Sequence, residues 1–113
     1  MLNQERNTAP TDVLILPMTE DLSPAVELAT KFRNAGVRAQ LYSEQKKFKA
    51  KMNYADKIGV PYVVFLGEDE IRDGVVACKD MATGEQTKYG FENTLGIIQD
   101  GLKKKDAGRI ILG

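Results

Sequence analysis

No histidine occurs anywhere in the 113 residues. That absence excludes Ser-His-Asp triads, imidazole proton shuttles and histidine-ligated metals. The single cysteine, Cys78, can form neither an internal disulfide nor a cysteine-rich zinc site. One thiol without a bridge suits a reducing compartment, so a soluble cytoplasmic domain is expected. Long apolar runs are missing too. The longest, residues 13–16 and 62–66, fall far short of the ~20 residues that span a bilayer. The opening stretch, Met1-Leu2-Asn3-Gln4-Glu5-Arg6-Asn7, lacks the apolar core of a signal peptide. Nor is there an excess of one charge: 16 Lys+Arg balance 16 Asp+Glu. A generally basic nucleic-acid coat is thereby excluded, although a local basic patch is not.

What remains is ordinary globular material, 42% apolar and 28% charged, enough for one domain with one core. Residues 1–11 are polar, contain Pro10 and show no periodicity, so they read as a linker. Val13-Leu14-Ile15-Leu16 is a continuous aliphatic run stopped by Pro17, the mark of a strand buried on both faces. Ser23-Pro24 predicts a helix start with Ser23 as N-cap. Leu22, Val26, Ala29 and Phe32 follow at helical spacing before Gly36. A short strand is expected over residues 37–42, and a second helix over about 45–58, with Phe48, Met52, Ala55 and Ile58 turned inward and Gly59 as its stop. Residues 62–66 form a third strand behind Pro61. Gly67-Glu68-Asp69-Glu70 and Asp73-Gly74 read as a hairpin turn into a strand over 75–79, and Ala82-Thr83-Gly84 as a turn into residues 85–89. Phe91, Leu95, Ile98 and Leu102 place a last helix over about 91–104, leaving 105–113 as a tail. The order β-α-β-α-β-β-β-α predicts an α/β, three-layer architecture, a mixed five-stranded sheet flanked by three helices. The domain itself is expected over residues 12–104.

Nucleotide-binding folds keep their glycines in the loop after the first strand. Pro17-Met18-Thr19-Glu20-Asp21-Leu22-Ser23-Pro24 has no glycine, no lysine and two carboxylates. A dinucleotide or P-loop site does not fit. Glu68, Asp69, Glu70 and Asp73 lack the ligand spacing of a calcium loop and read as a solvated turn. Cys78 reads as a small core residue rather than a reactive thiol. The segment Lys46-Lys47-Phe48-Lys49-Ala50-Lys51 is less ordinary. Lysines at a helix start oppose the macrodipole, which prefers carboxylates there. Phosphates would explain the cluster, and so would a plain solvated face. No catalytic site and no metal ligands are visible.

The segment Lys47-Phe48-Lys49-Ala50-Lys51-Met52-Asn53-Tyr54-Ala55-Asp56-Lys57-Ile58-Gly59-Val60-Pro61-Tyr62 resembles the lysine-rich helix and "ADK-x-G-x-P-Y" stretch of class IIa aminoacyl-tRNA synthetases. Gly67-Glu68-Asp69-Glu70 and Lys79-Asp80-Met81-Ala82-Thr83-Gly84-Glu85-Gln86 resemble the histidyl-tRNA synthetase anticodon-binding domain in particular. The resemblance covers about residues 12–102, and its fold matches the element order above. It implies that Glu70 hydrogen-bonds an anticodon base and that Lys79 contacts or stacks on anticodon nucleotides. Lys46, Lys47 and Lys49 would then touch backbone phosphates. Tyr42 is a stacking platform or a core-edge tyrosine. Glu68, Gln86 and Lys88 are secondary candidates near the same hairpins. The implied partners are histidine tRNA with anticodon GUG and the catalytic domain of a homodimeric parent synthetase, with neither DNA nor membrane. The family's class II motifs are not found in these residues. The chain is therefore expected to need no cofactor itself, while ATP and Mg serve the catalytic domain of an ATP-dependent histidine–tRNA ligase. A regulatory or protein-interaction module on the same fold is the alternative.

Overall fold

The computed structural model describes residues 11–44 and 46–112, with side chains up to residue 104. The linker reading of residues 1–10, the helix start expected at Gln45 and the side chains of the tail 105–113 lie outside the described residues.

The first strand, β1 (Val13–Pro17), is buried at every position, as its unbroken aliphatic run requires. It lies between two parallel neighbours, β2 (Ala39–Leu41) and β3 (Tyr62–Leu66). β4 (Val76–Asp80) pairs antiparallel with β3, and β5 (Gln86–Tyr89) antiparallel with β4. The five-stranded sheet has the order β2-β1-β3-β4-β5.

Between β1 and β2 runs α1 (Ser23–Asn34), which buries Ala25, Leu28, Ala29 and Phe32 at helical spacing. Two expectations shift here. Val26 is 48% exposed, because the inward stripe starts one residue earlier. Ser23 is not the cap either; its N–H donates to Asp21 Oδ1 at 3.0 Å, so the carboxylate serves the helix start. That bond from the Ser23 backbone, supported by the Ser23 side chain, lowers the Asp21 pKa.

α2 (Phe48–Ile58) links β2 to β3 and ends at Gly59, whose φ of 68° puts it in the left-handed region that glycine enters freely. Among the described residues the helices number four, not the three expected. The fourth is α3 (Glu68–Asp73), where the residue types predict a hairpin turn. Its three leading carboxylates suit the positive end of a helix, and Glu70 reaches back to accept from the Gly67 N–H at 2.8 Å. The last helix, α4 (Phe91–Leu112), continues past the end expected at Lys104. No helix among the described residues is long and apolar enough to cross a membrane.

Strand alternation divides the interior into two layers. On one face Val13, Ile15, Tyr62, Val64, Val76 and Cys78 pack against α1 and α4 through Phe32 and Ile98. On the other, Leu14, Leu16 and Val63 pack against α2 through Ala55 and Met52. Among the described residues, α1 and α4 pack on the first face and α2 on the second. α2 lies over β1 and β3 and leaves the β4–β5 side of that face open.

Candidate functional site

The register of the sheet decides which side chains line the open area. Lys79 faces Gln86 across the β4–β5 ladder, and Ala77 faces Lys88. Phe65 pairs with Ala77 from the β3 side. Period-two alternation therefore puts Phe65, Ala77, Lys79, Gln86 and Lys88 on one face, the face shared with α2. Together with Met18, Phe48 and Glu70 they line a pocket of about 340 Å³. Its floor is apolar (Met18, Phe65, Ala77) and its rim carries one carboxylate, one amide and two ammonium groups.

The hairpin joining β4 and β5 explains why Lys79 and Gln86 stand opposite each other. Asp80 Oδ1 accepts the N–H groups of Ala82 at 2.8 Å and Thr83 at 3.3 Å, and Thr83 Oγ1 accepts that of Glu85 at 3.1 Å. Within Lys79-Asp80-Met81-Ala82-Thr83-Gly84-Glu85-Gln86, the inner residues build the turn and the two outer ones face the pocket. Among the described residues, neither outer side chain is engaged in a hydrogen bond or ion pair.

Glu70 is the most constrained member. Oε1 accepts from the Gly67 N–H, and Oε2 pairs with Lys88 Nζ at 3.0 Å. The Lys88 ammonium, with help from the Gly67 N–H, lowers the pKa of this carboxyl. Reciprocally, Glu70 raises the pKa of Lys88. The Glu70 side chain is only 14% exposed, so its direction is fixed before any ligand arrives. Each carboxylate oxygen has a second lone pair with which to accept from a further donor.

At the neighbouring start of α2, Lys46, Lys47 and Lys49 are all exposed. Lys46 approaches Glu44 at 3.9 Å, whereas Lys47 and Lys49 have no carboxylate partner among the described residues. Lys51 departs from the solvated lysine face. It is 8% exposed, and its Nζ donates to the Pro17 carbonyl oxygen at 3.2 Å, tying the first turn of α2 to the end of β1.

The pocket thus gathers Glu70 and Lys79 with the secondary candidates Gln86 and Lys88. It does not gather Glu68, which is exposed on the first turn of α3. Tyr42 is also excluded. Its ring is 8% exposed and packs on Tyr54 with centroids 5.3 Å apart, so it is a core-edge residue with no face for stacking. Burial, reinforced by Glu44 and Tyr54, raises the pKa of its phenol. Cys78 belongs to the opposite layer. Its thiol is buried and, chiefly through that burial, pushed up to about 12. Phe48, expected to face inward, is instead 48% exposed at the pocket wall. The sequence does carry a sign of this, since Phe48 is the one aromatic residue among the lysines at the helix start.

Fold and pocket together define a class: an α/β binding module with a half-open sheet face, rimmed by hydrogen-bonding groups of both charges. The sequence model of the anticodon binding domain family matches residues 12–101, and the chain belongs to that family. It is similar to histidine–tRNA ligases from Clostridium tetani, 30% identical over 88% of this chain, and Pyrococcus furiosus, 31% identical over 81%. A third, from Lysinibacillus sphaericus, is 38% identical over 77%. The crystal structure of histidyl-tRNA synthetase from Nostoc sp. PCC 7120 superposes with a TM-score of 0.78 at 25% identity, covering 83% of this chain. The chain spans under a quarter of each of these proteins: 23%, 22%, 21% and 23% of their lengths respectively.

Proposed function

We propose that this domain reads the anticodon of histidine tRNA, GUG, in the pocket between α2, α3 and the β4–β5 hairpin, in support of histidyl-tRNA formation in the cytoplasm. The observation that carries the reading is the convergence of Glu70, Lys79, Gln86 and Lys88, from three separate elements, on one apolar-floored pocket. Unstacked loop bases are recognised on their Watson–Crick edges, which present both donors and acceptors. A carboxylate accepts from base N–H groups, and ammonium and amide donors serve base carbonyl and ring-nitrogen atoms. Lys46, Lys47 and Lys49 would hold the loop phosphates and supply affinity without sequence information. The partners in this reading are the tRNA and the ATP- and Mg-dependent catalytic domain of a homodimeric synthetase.

Fluorescence anisotropy tests the proposal, using the chain with a histidine-anticodon stem-loop and a stem-loop of permuted anticodon, at low and near-physiological salt. The expected result is a preference for GUG that survives salt. Glu70→Gln is expected to weaken the GUG complex by about 1–3 kcal/mol and to weaken the permuted one less. Equal binding of both stem-loops that vanishes with salt would reject base reading. A protein-interaction module would then be the better account.

A further inference from the structure

Phe48 has no role in the core. It opens α2, keeps 48% of its surface exposed and forms one wall of the pocket that Glu70, Lys79 and Lys88 rim. A phenylalanine left 48% exposed forgoes about half of the apolar burial open to its own side chain. Its ring is nevertheless held in place. Phe65 backs it with centroids 5.5 Å apart and planes tilted by 35°. The helix turn that carries it is fixed by the buried Lys51, through the bond from Nζ to the Pro17 carbonyl oxygen. One side of the ring is thus supported by protein, while the remainder is open to the pocket and flanked by the exposed Lys47 and Lys49.

We infer that Phe48 is the stacking platform on which an unpaired nucleobase is laid, its polar edge turned toward Glu70, Lys79 or Lys88. The inference rests on the anticodon reading above and adds the residue that holds the base plane. Every base has a π face, so an aromatic wall provides affinity that is tolerant of sequence, while the rim supplies discrimination. The exposed lysines beside the ring match the phosphates that accompany a base. An aliphatic ligand would cover Phe48 but offer no partner to Lys79 and Gln86, the two rim groups that Glu70 does not already engage.

The test is anisotropy of the full chain with the histidine-anticodon stem-loop and with three versions, each abasic at one anticodon position. Phe48→Ala is expected to weaken the intact stem-loop about tenfold or more, and Phe48→Trp to remain within about threefold of the wild type. The dependence of affinity on salt should not change in either, because no phosphate contact is lost. At one abasic position the wild type and Phe48→Ala should bind alike, since no base remains there to stack. Thermal melts of each variant establish that it is folded. Phe48→Leu keeps the bulk and loses the π face, and is expected to bind like Phe48→Ala. Wild-type affinity in Phe48→Leu, or an equal penalty for Phe48→Ala at every abasic position, would overturn the inference. A wild type that prefers GUG with Phe48→Ala unaffected would overturn the stacking role and leave anticodon reading intact. A wild type with no anticodon preference would instead reject the reading, and the abasic series would still decide whether Phe48 stacks a base.

Discussion

Glu70 performs two tasks with one carboxylate: it closes the start of α3 by accepting from Gly67, and it holds Lys88 at the pocket rim. The two tasks can be separated. Glu70→Gln keeps an acceptor for Gly67 and removes the ion pair, and with Lys88 57% exposed the loss should be under ~1 kcal/mol at neutral pH. Glu70→Ala also removes the cap and should lose a further ~1 kcal/mol. The sign of the pH dependence follows from the direction of the shift. The folded carboxyl titrates below its ordinary 4.5, so its stabilisation is complete above that value and is lost as pH falls through the lower, folded one. Urea unfolding of wild type and Glu70→Gln should therefore show a gap at pH 7 that closes as the pH falls through the lowered, folded pKa of Glu70. A gap of undiminished size in acid would mean that the charge pair is not its source. At this scale the sequence was informative about Glu70 and Lys79 only through their motifs, because nothing in the composition distinguishes them from other surface charges. Phe48 was not legible by periodicity. Its spacing with Met52 and Ala55 identifies a shared helix face but not how far the sheet extends beneath that face, and the first turn of α2 lies over the open pocket.

The same reasoning accounts for what was and was not legible among the elements. β1 and β3 were readable because strands at the centre of a sheet covered by helices need uninterrupted apolar runs. α3 was not, because Gly67, Asp69, Asp73 and Gly74 are turn formers by type. What makes the segment helical is the reach of Glu70 back to Gly67, which depends on side-chain geometry rather than residue class. α4 offers a direct test of how an element is seated. A Cβ at Gly101 would run into the Tyr62 hydroxyl, whereas one at Gly96 would meet nothing within 4 Å. Both glycines lie within the helix, where alanine is favoured by about 1 kcal/mol. Gly96→Ala should thus stabilise the domain by up to ~1 kcal/mol. Gly101→Ala should destabilise it by ~1–2 kcal/mol, because overpacking against a buried tyrosine outweighs propensity. Thermal unfolding of the two variants checks the opposite signs. If Gly101→Ala also gained stability, α4 would not sit as close to β3 as the structure places it.

Over the whole molecule, a formal charge of zero conceals an uneven distribution. The open sheet face lies next to the end of α2 that carries Lys46, Lys47 and Lys49, while Lys57 is exposed near the opposite end of the same helix. The two ends are separated by ~15 Å of helix, more than a Debye length at physiological salt. They should therefore act independently on a bound anion. If the loop phosphates rest at the start of α2, Lys47→Ala and Lys49→Ala should each flatten the slope of log K against log salt by about 0.7, the release expected per single-strand phosphate. Lys57→Ala should leave the slope unchanged, although it removes the same charge from the same helix. All three variants alter net charge equally, so their comparison distinguishes a local phosphate contact from a long-range field. An identical flattening in Lys57→Ala would mean that the domain attracts RNA through its overall charge, and the open face would then have no privileged claim to the backbone. A flattening confined to Lys47 and Lys49 would place the phosphates beside Phe48, in the position from which a neighbouring base can turn into the pocket.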